Sequence, residues 1–197
     1  MASFNTHLAV AKLYAKRNKI KDLASFYRGS IDPDLTDKKD TTHYGVTPNS
    51  FENAWVRVAN KVDLAKFLKH NKLDNDLNLG RFLHLVTDMK FFNEFFGKKY
   101  MINAGHDQFS ADLFFSYLLA NPHLARKYKL PENSVDEIMG QKIQQKHFKY
   151  ASDRIDQVKK DLNYSPKCII DMDSLDRFIE EVASLELQSI ALRARRS

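Results

Sequence analysis

Gly80-Arg81-Phe82-Leu83-His84-Leu85-Val86-Thr87-Asp88-Met89-Lys90-Phe91-Phe92 is the stretch on which the fold turns. It lies inside a longer helical pattern, about 77–96. Apolar residues recur at Leu77, Leu79, Phe82, Leu83, Leu85, Val86, Met89, Phe91, Phe92, Phe95 and Phe96. They run nearly all round the helix, and such a helix belongs at the buried centre of a bundle. His84 and Asp88 break the pattern. Spaced i, i+4, they leave the helix from one face. A buried carboxylate is costly unless it is paired or holds a metal. Two readings follow: a His–Asp hydrogen-bonded pair inside a core, or two ligands of a cation.

Working outward, the chain is long enough at 197 residues, 43% of them hydrophobic, to bury a proper core in one domain. With only 6 Gly and 5 Pro, and long amphipathic stretches throughout, it is predicted to be all-α. The expected architecture is a single-domain multi-helix bundle, residues 1–197, built around the buried central helix. A metal-site half (about 1–127) would be backed by scaffold helices (about 131–197). No run of about 18 apolar residues exists, so no transmembrane segment is expected. The start of the chain has no basic, then apolar, leader, and the single cysteine, Cys168, has no internal partner. Both point to the cytoplasm. The net charge of +6 permits attraction to phosphate-bearing ligands without establishing it. Fourteen Phe residues imply a bulky core.

Toward the N-terminus, Leu8, Val10, Ala11, Leu13 and Tyr14 predict a helix over about 6–18, with Thr6 as its cap and His7 in its first turn. A short helix over about 20–26 ends near Gly29. Gly29-Ser30-Ile31-Asp32-Pro33-Asp34 and the polar run to Pro48 read as turns and loop. In that loop Asp37 and Asp40 read as solvated caps and turns. Ser50 caps a helix over about 51–60, and Asp63 begins one over about 63–70. Beyond the central stretch, Gly105-His106-Asp107-Gln108 opens a helix over about 109–120 that Asn121-Pro122 should end. One long helix is expected over about 132–163, kinked at Gly140, and a last one over about 174–194.

His7, Asp32 and Asp34, His43, His84 and Asp88, and the later His106 and Asp107 share one character. Each is an imidazole or carboxylate at a helix end or in a core helix. Mixed His and Asp ligands suit zinc, iron or manganese where these activate water. An aspartate can also bridge two metals. The residues come from different elements, so spacing alone does not bring them together.

The order Thr6-His7, then Gly29-Ser30-Ile31-Asp32-Pro33-Asp34, then Thr42-His43-Tyr44, then Gly80 through Asp88 resembles the zinc-dependent phospholipase C family, and above all its small intracellular bacterial members. That family is akin to single-strand nucleases of the same all-helical fold. The resemblance spans about residues 6–112. It implies metal ligation by His7, Asp34, His43, His84, Asp88 and His106, with Asp88 bridging and Asp34 also the general base. Zinc is the implied metal, with iron or manganese as alternatives. The histidine that the family carries shortly after the helical aspartate is missing, since residues 90–94 read Lys-Phe-Phe-Asn-Glu. One or two metals are therefore expected, with Glu94 as a further candidate donor. The family's downstream glutamate is not matched either, and Asp107 or Asp112 is the candidate to replace it.

The function implied is metal-dependent hydrolysis of a small phosphoester, with Lys38, Lys39 or Arg81 holding the phosphate. The alternative is a non-catalytic helical binding or regulatory protein that keeps a His/Asp metal site. Nucleic acid is not favoured as a partner, because basic and acidic residues are interspersed. His70, His123 and His147 read as surface or packing residues.

Overall fold

A computed structural model describes residues 2–36, 39–45, 62–96, 106–131, 134–140 and 143–196. The described residues form α-helices α1 (Phe4–Arg17), α2 (Leu23–Gly29), α3 (Lys39–His43), α4 (Leu64–His70), α5 (Asp76–Lys90), α6 (His106–Tyr128), α7 (Ser134–Met139), α8 (Gln144–Leu162), α9 (Met172–Ala183) and α10 (Leu187–Ala194). A 3-10 turn over Asp32–Asp34 follows α2, and a π turn over Phe91–Phe95 continues α5. The protein is an all-α single domain. Among the described residues the only β pairing is an isolated bridge between Tyr44 and Val62. No described helix is long and apolar enough to cross a membrane. The helix expected over about 51–60 lies outside the described residues.

The helix starts follow from side chains that accept from exposed backbone N–H groups. Asp22, Asp63, Asn75 and Asp171 cap α2, α4, α5 and α9 in this way. α1 begins two residues earlier than the expected 6–18. Ser3, not Thr6, is its cap, and Ser3 Oγ accepts from the Thr6 amide at 3.2 Å.

Three further expectations are corrected. Pro122 lies inside α6. It forfeits a bond to the Leu118 carbonyl, but Tyr117, Ala120 and Leu124 are buried on either side and hold the helix to the core. The long helix over about 132–163 is two helices. Gly140 ends the first with φ of +64°, a left-handed conformation open to glycine. The last helix is also two, broken at residues 184–186, where the Ser184 amide turns back to the Glu181 carbonyl.

α5 is the axis of the bundle, as its all-round apolar pattern requires. Gly80, Phe82, Leu83, Leu85 and Val86 are buried, and so are the polar His84, Thr87 and Asp88. At its far end the π turn gathers Phe91, Phe92, Phe95 and Phe96. Phe91 stacks on Phe95 with centroids 5.1 Å apart and meets Phe178 of α9 edge-on at 5.4 Å. One core cluster therefore joins α1, α5, α6, α9 and α10.

The contact that positions the site is between α2 and α5. Gly29 and Gly80 meet where the helices cross. A β-carbon on Gly29 would stand 2.1 Å from the Leu77 carbonyl oxygen, and one on Gly80 would stand 2.2 Å from that of Phe26. Neither position has room for a side chain. The backbone after α2 is thereby drawn onto α5 one turn before Asp88.

Candidate metal centre

Five of the residues singled out in the sequence converge. α1 delivers His7, the 3-10 turn Asp34, the end of α3 His43, and α5 both His84 and Asp88. All five are buried, with 0 to 3% of their surface exposed. Asp34, His43, His84 and Asp88 each offer one ligand atom, and these atoms lie within 4.8 Å of one another.

The carboxylates divide their oxygens between two sides. Asp34 Oδ1 faces His43 Nε2 at 3.4 Å and His84 Nε2 at 3.7 Å, while its Oδ2 faces His7 Nε2 at 3.8 Å. Asp88 Oδ2 faces His43 Nε2 at 3.3 Å and His84 Nε2 at 3.8 Å, while its Oδ1 faces His7 Nε2 at 3.4 Å. The Ala2 amide also donates to Asp88 Oδ1 at 2.7 Å. Two nitrogens and two oxygens thus point inward on one side. His7 and the remaining oxygens form the other.

Two of the imidazoles have their outer nitrogens engaged. His84 Nδ1–H donates to the Ser30 carbonyl at 2.9 Å. The Thr42 hydroxyl donates to the Pro33 carbonyl at 2.8 Å and so offers a lone pair to His43 Nδ1–H at 3.1 Å. A neutral imidazole carries one proton. The two Nε2 atoms, 3.2 Å apart, therefore face each other with bare lone pairs. Two lone pairs so close repel, and a proton or a metal ion between them would relieve the repulsion. A proton there would also face Asp34 Oδ1 and Asp88 Oδ2, at 3.4 and 3.3 Å from His43 Nε2. It would leave both nitrogens of the buried His7 without a hydrogen bond. Leaving such groups unmatched costs about 1–3 kcal/mol each. A divalent cation would draw on the inward nitrogens and both carboxylates together, so these residues fit a metal.

The electrostatics agree. Burial, reinforced by His7 alongside, pushes the His84 imidazole down to about 3, so it stays neutral and able to ligate. The two rings stack with centroids 3.8 Å apart. Burial also opposes charge on His43, but Asp34 and Asp88 outweigh it and raise that imidazole. Burial alone would raise Asp88. The imidazoles of His7 and His43, facing its two oxygens at 3.4 and 3.3 Å, hold it well below the usual carboxylate range. On α6, burial and then the charges of Asp88 and Asp34 push the Tyr117 phenol far up, so Tyr117 stays neutral.

The remaining candidates go elsewhere. Asp32 is held by Arg81, whose Nε donates to Asp32 Oδ2 at 2.9 Å and whose Nη2 joins the same oxygen. Arg81 therefore secures the turn that carries Asp34. Glu94 is exposed and pairs with Lys90. Asp107 is exposed and pairs with Arg154 on α8. Asp112 is buried but taken up by Tyr164 and the Lys167 amide. None of the three substitutes for the missing family ligand. His106 opens α6, and its side chain, like those of Lys39 and His147, lies outside the described residues, as do Asp37 and Lys38 entirely. The polar loop expected to run to Pro48 is interrupted by α3, and Asp40 is an exposed residue in the first turn of that helix. His70 is exposed and stacks on Tyr44, while His123 bonds Asp176.

Sequence reasoning missed the supports: the Ser30 carbonyl, and Thr42 as acceptor for His43. No family model, curated protein or solved structure matches this chain.

Proposed function

We propose that the chain is a metal-dependent hydrolase of small phosphoesters, akin to zinc-dependent phospholipase C, with His43, His84, Asp34 and Asp88 holding a divalent cation and His7 a second position. The observation that carries the reading is the pair of inward-facing Nε2 atoms, 3.2 Å apart between two carboxylates. Zinc suits this nitrogen-and-oxygen set, and iron or manganese would be accepted by it as well. A bound cation of this kind supplies Lewis acidity toward a phosphoryl oxygen and brings the pKa of a water toward neutrality. The chain's own part is to orient the donors and move a proton. Ser30 and Thr42 keep the Nδ1 protons outward. Asp34, on a turn secured by Arg81, is the carboxylate placed to take a proton from an attacking water.

Burial of all five residues to 3% exposure or less favours a second reading, in which the cation staples the bundle without turnover. Elemental analysis of the purified protein, followed by assay on a panel of phosphomono- and diesters, separates the two. Hydrolysis is expected in wild type and should be lost in His84→Ala. Stoichiometric metal with no turnover on any ester would replace the hydrolase reading by the structural one. Equal activity in wild type and His84→Ala would remove the site from the chemistry.

A further inference from the structure

We propose that Thr42 is a positioning residue that selects which nitrogen His43 presents to the cation. The proposal rests on the metal-site reading above and concerns a residue that lies outside the ligand set. The three imidazoles of the centre are supported in three different ways. His84 is oriented by a main-chain carbonyl, that of Ser30, which accepts and cannot donate. His7 has no hydrogen bond at either ring nitrogen. His43 alone rests on a hydroxyl, a group that can act in either sense.

The Pro33 carbonyl removes that ambiguity. It takes the Thr42 proton at 2.8 Å, so the hydroxyl turns a lone pair to His43. His43 then keeps its proton on Nδ1 and leaves Nε2 bare toward Asp34 and Asp88. The same hydroxyl ties α3 to the residue before Asp34, so one atom sets both the tautomer of one ligand and its spacing from another. Threonine suits the task better than serine or asparagine would. Its β-branching restricts χ1, which keeps the hydroxyl from swinging away. Metal-bound histidines are generally oriented through the outer nitrogen, and loss of that partner costs about 10–100-fold in metal affinity.

The test uses the full chain in three forms: wild type, Thr42→Val and Thr42→Ser. Each is stripped with a chelator, and helix content and melting temperature are compared to confirm folding. Long-range proton–nitrogen spectra of 15N-histidine protein, taken at a pH well above the imidazole range, report which nitrogen of His43 carries the proton. His43→Asn assigns the signals. Zinc affinity is then read by competition with a chromophoric chelator. Wild type and Thr42→Ser are expected with the proton on Nδ1. Thr42→Val is expected to show protonated Nε2 and to bind zinc about 10–100-fold more weakly, with Thr42→Ser close to wild type.

Protonated Nε2 in the wild type overturns the proposal by itself, even where Thr42→Val fails to fold. So does a Thr42→Val protein that keeps the Nδ1 tautomer, whatever its affinity. So does a Thr42→Ser protein that behaves like Thr42→Val. If wild type binds no zinc, the metal reading falls, and the spectra still decide what Thr42 does to His43.

Discussion

The bundle buries carboxylates in two regions and treats them in opposite ways. In the C-terminal half, Asp112 accepts from the Tyr164 hydroxyl at 2.9 Å and the Lys167 amide at 2.7 Å. Asp176 accepts from His123 at 2.8 Å and the Tyr128 hydroxyl at 3.0 Å, with Lys127 Nζ at 2.7 Å. These groups fasten elements together: Asp112 pins the extended segment before α9 to α6, and Asp176 joins α9 to the end of α6. Around Asp88 the donors run short. One oxygen takes the Ala2 amide, the other takes none, and both nitrogens of the adjacent His7 are unmatched. The lesson is that burial of an acid is not by itself a functional sign. The sign is burial of several polar groups whose mutual geometry leaves them unsatisfied until something positive is added.

The strongest way to break that contrast is to remove the metal. A ligand bound at about 1,000 times its dissociation constant stabilises by about 4 kcal/mol. For a chain of this length that is about 8–16 °C in melting temperature. A strong chelator is expected to lower the melting temperature of wild type by that order. In Asp88→Asn the chelator should do nothing, because the variant has already lost the metal. Asp112→Asn should lose stability yet respond to chelator as wild type does. Calorimetry with parallel elemental analysis reads all three. A wild type that carries no metal and melts alike with and without chelator would place both carboxylate groups in the same structural category.

A smaller effect sharpens the contrast by moving the frame that holds one region. Gly80→Ala puts a methyl group 2.2 Å from the Phe26 carbonyl oxygen, which is backbone and cannot swing aside. Forcing α2 from α5 is expected to cost about 1–3 kcal/mol in urea unfolding. It should also weaken metal binding, because the Ser30 carbonyl that orients His84 travels with the end of α2. Gly140→Ala is the control. Nothing stands near its β-carbon, so only the positive φ is strained, at about 1 kcal/mol, and metal binding should not change. Unaltered metal affinity in Gly80→Ala would show that the helix crossing does not set the site.

How far these regions are legible in sequence differs for physical reasons. α5 is readable because one helix that is apolar nearly all round has one place to go, and two polar residues inside it must be accounted for there. His7, Asp34 and His43 are suggested by residue type and by resemblance, but their convergence depends on the Gly29–Gly80 crossing, which no spacing rule announces. The supports are harder still. The Ser30 contribution is a carbonyl that every residue possesses, and Thr42 beside a histidine has no signature until Pro33 is seen to take its proton. Pro122 misleads because local chemistry argues for a helix end while the buried faces of Tyr117 and Leu124 carry the helix through. Asp112 reads as a possible metal donor, and nothing in the local sequence marks Asp176. Their burial follows from partners 48 to 55 residues away.

The smallest expected effect tests the satisfied region directly, through pH. Burial would raise the Asp176 carboxyl, but the hydrogen bonds from Lys127, His123 and Tyr128 outweigh it and hold the group below its ordinary value of 3.8. The folded state thus binds the Asp176 proton less readily than the unfolded chain does. The stabilisation is complete above the unfolded value and disappears as pH falls through the lower folded value. Lys127 and His123 keep 47 and 30% of their side chains exposed, so solvent weakens the pairs. The contribution should be about 1 kcal/mol. Urea unfolding of metal-stripped wild type should therefore lose stability between neutral pH and the acid side of 3.8, and Asp176→Asn should lose about 1 kcal/mol less across that window while starting lower at neutral pH. Both proteins are compared without metal, so that acid release of the cation does not enter and the acid-linked loss from Asp88 is common to the two curves. Parallel curves for wild type and Asp176→Asn would mean that the His123, Lys127 and Tyr128 contacts do not hold charge on Asp176, and that the two buried regions are less different than their hydrogen bonds suggest.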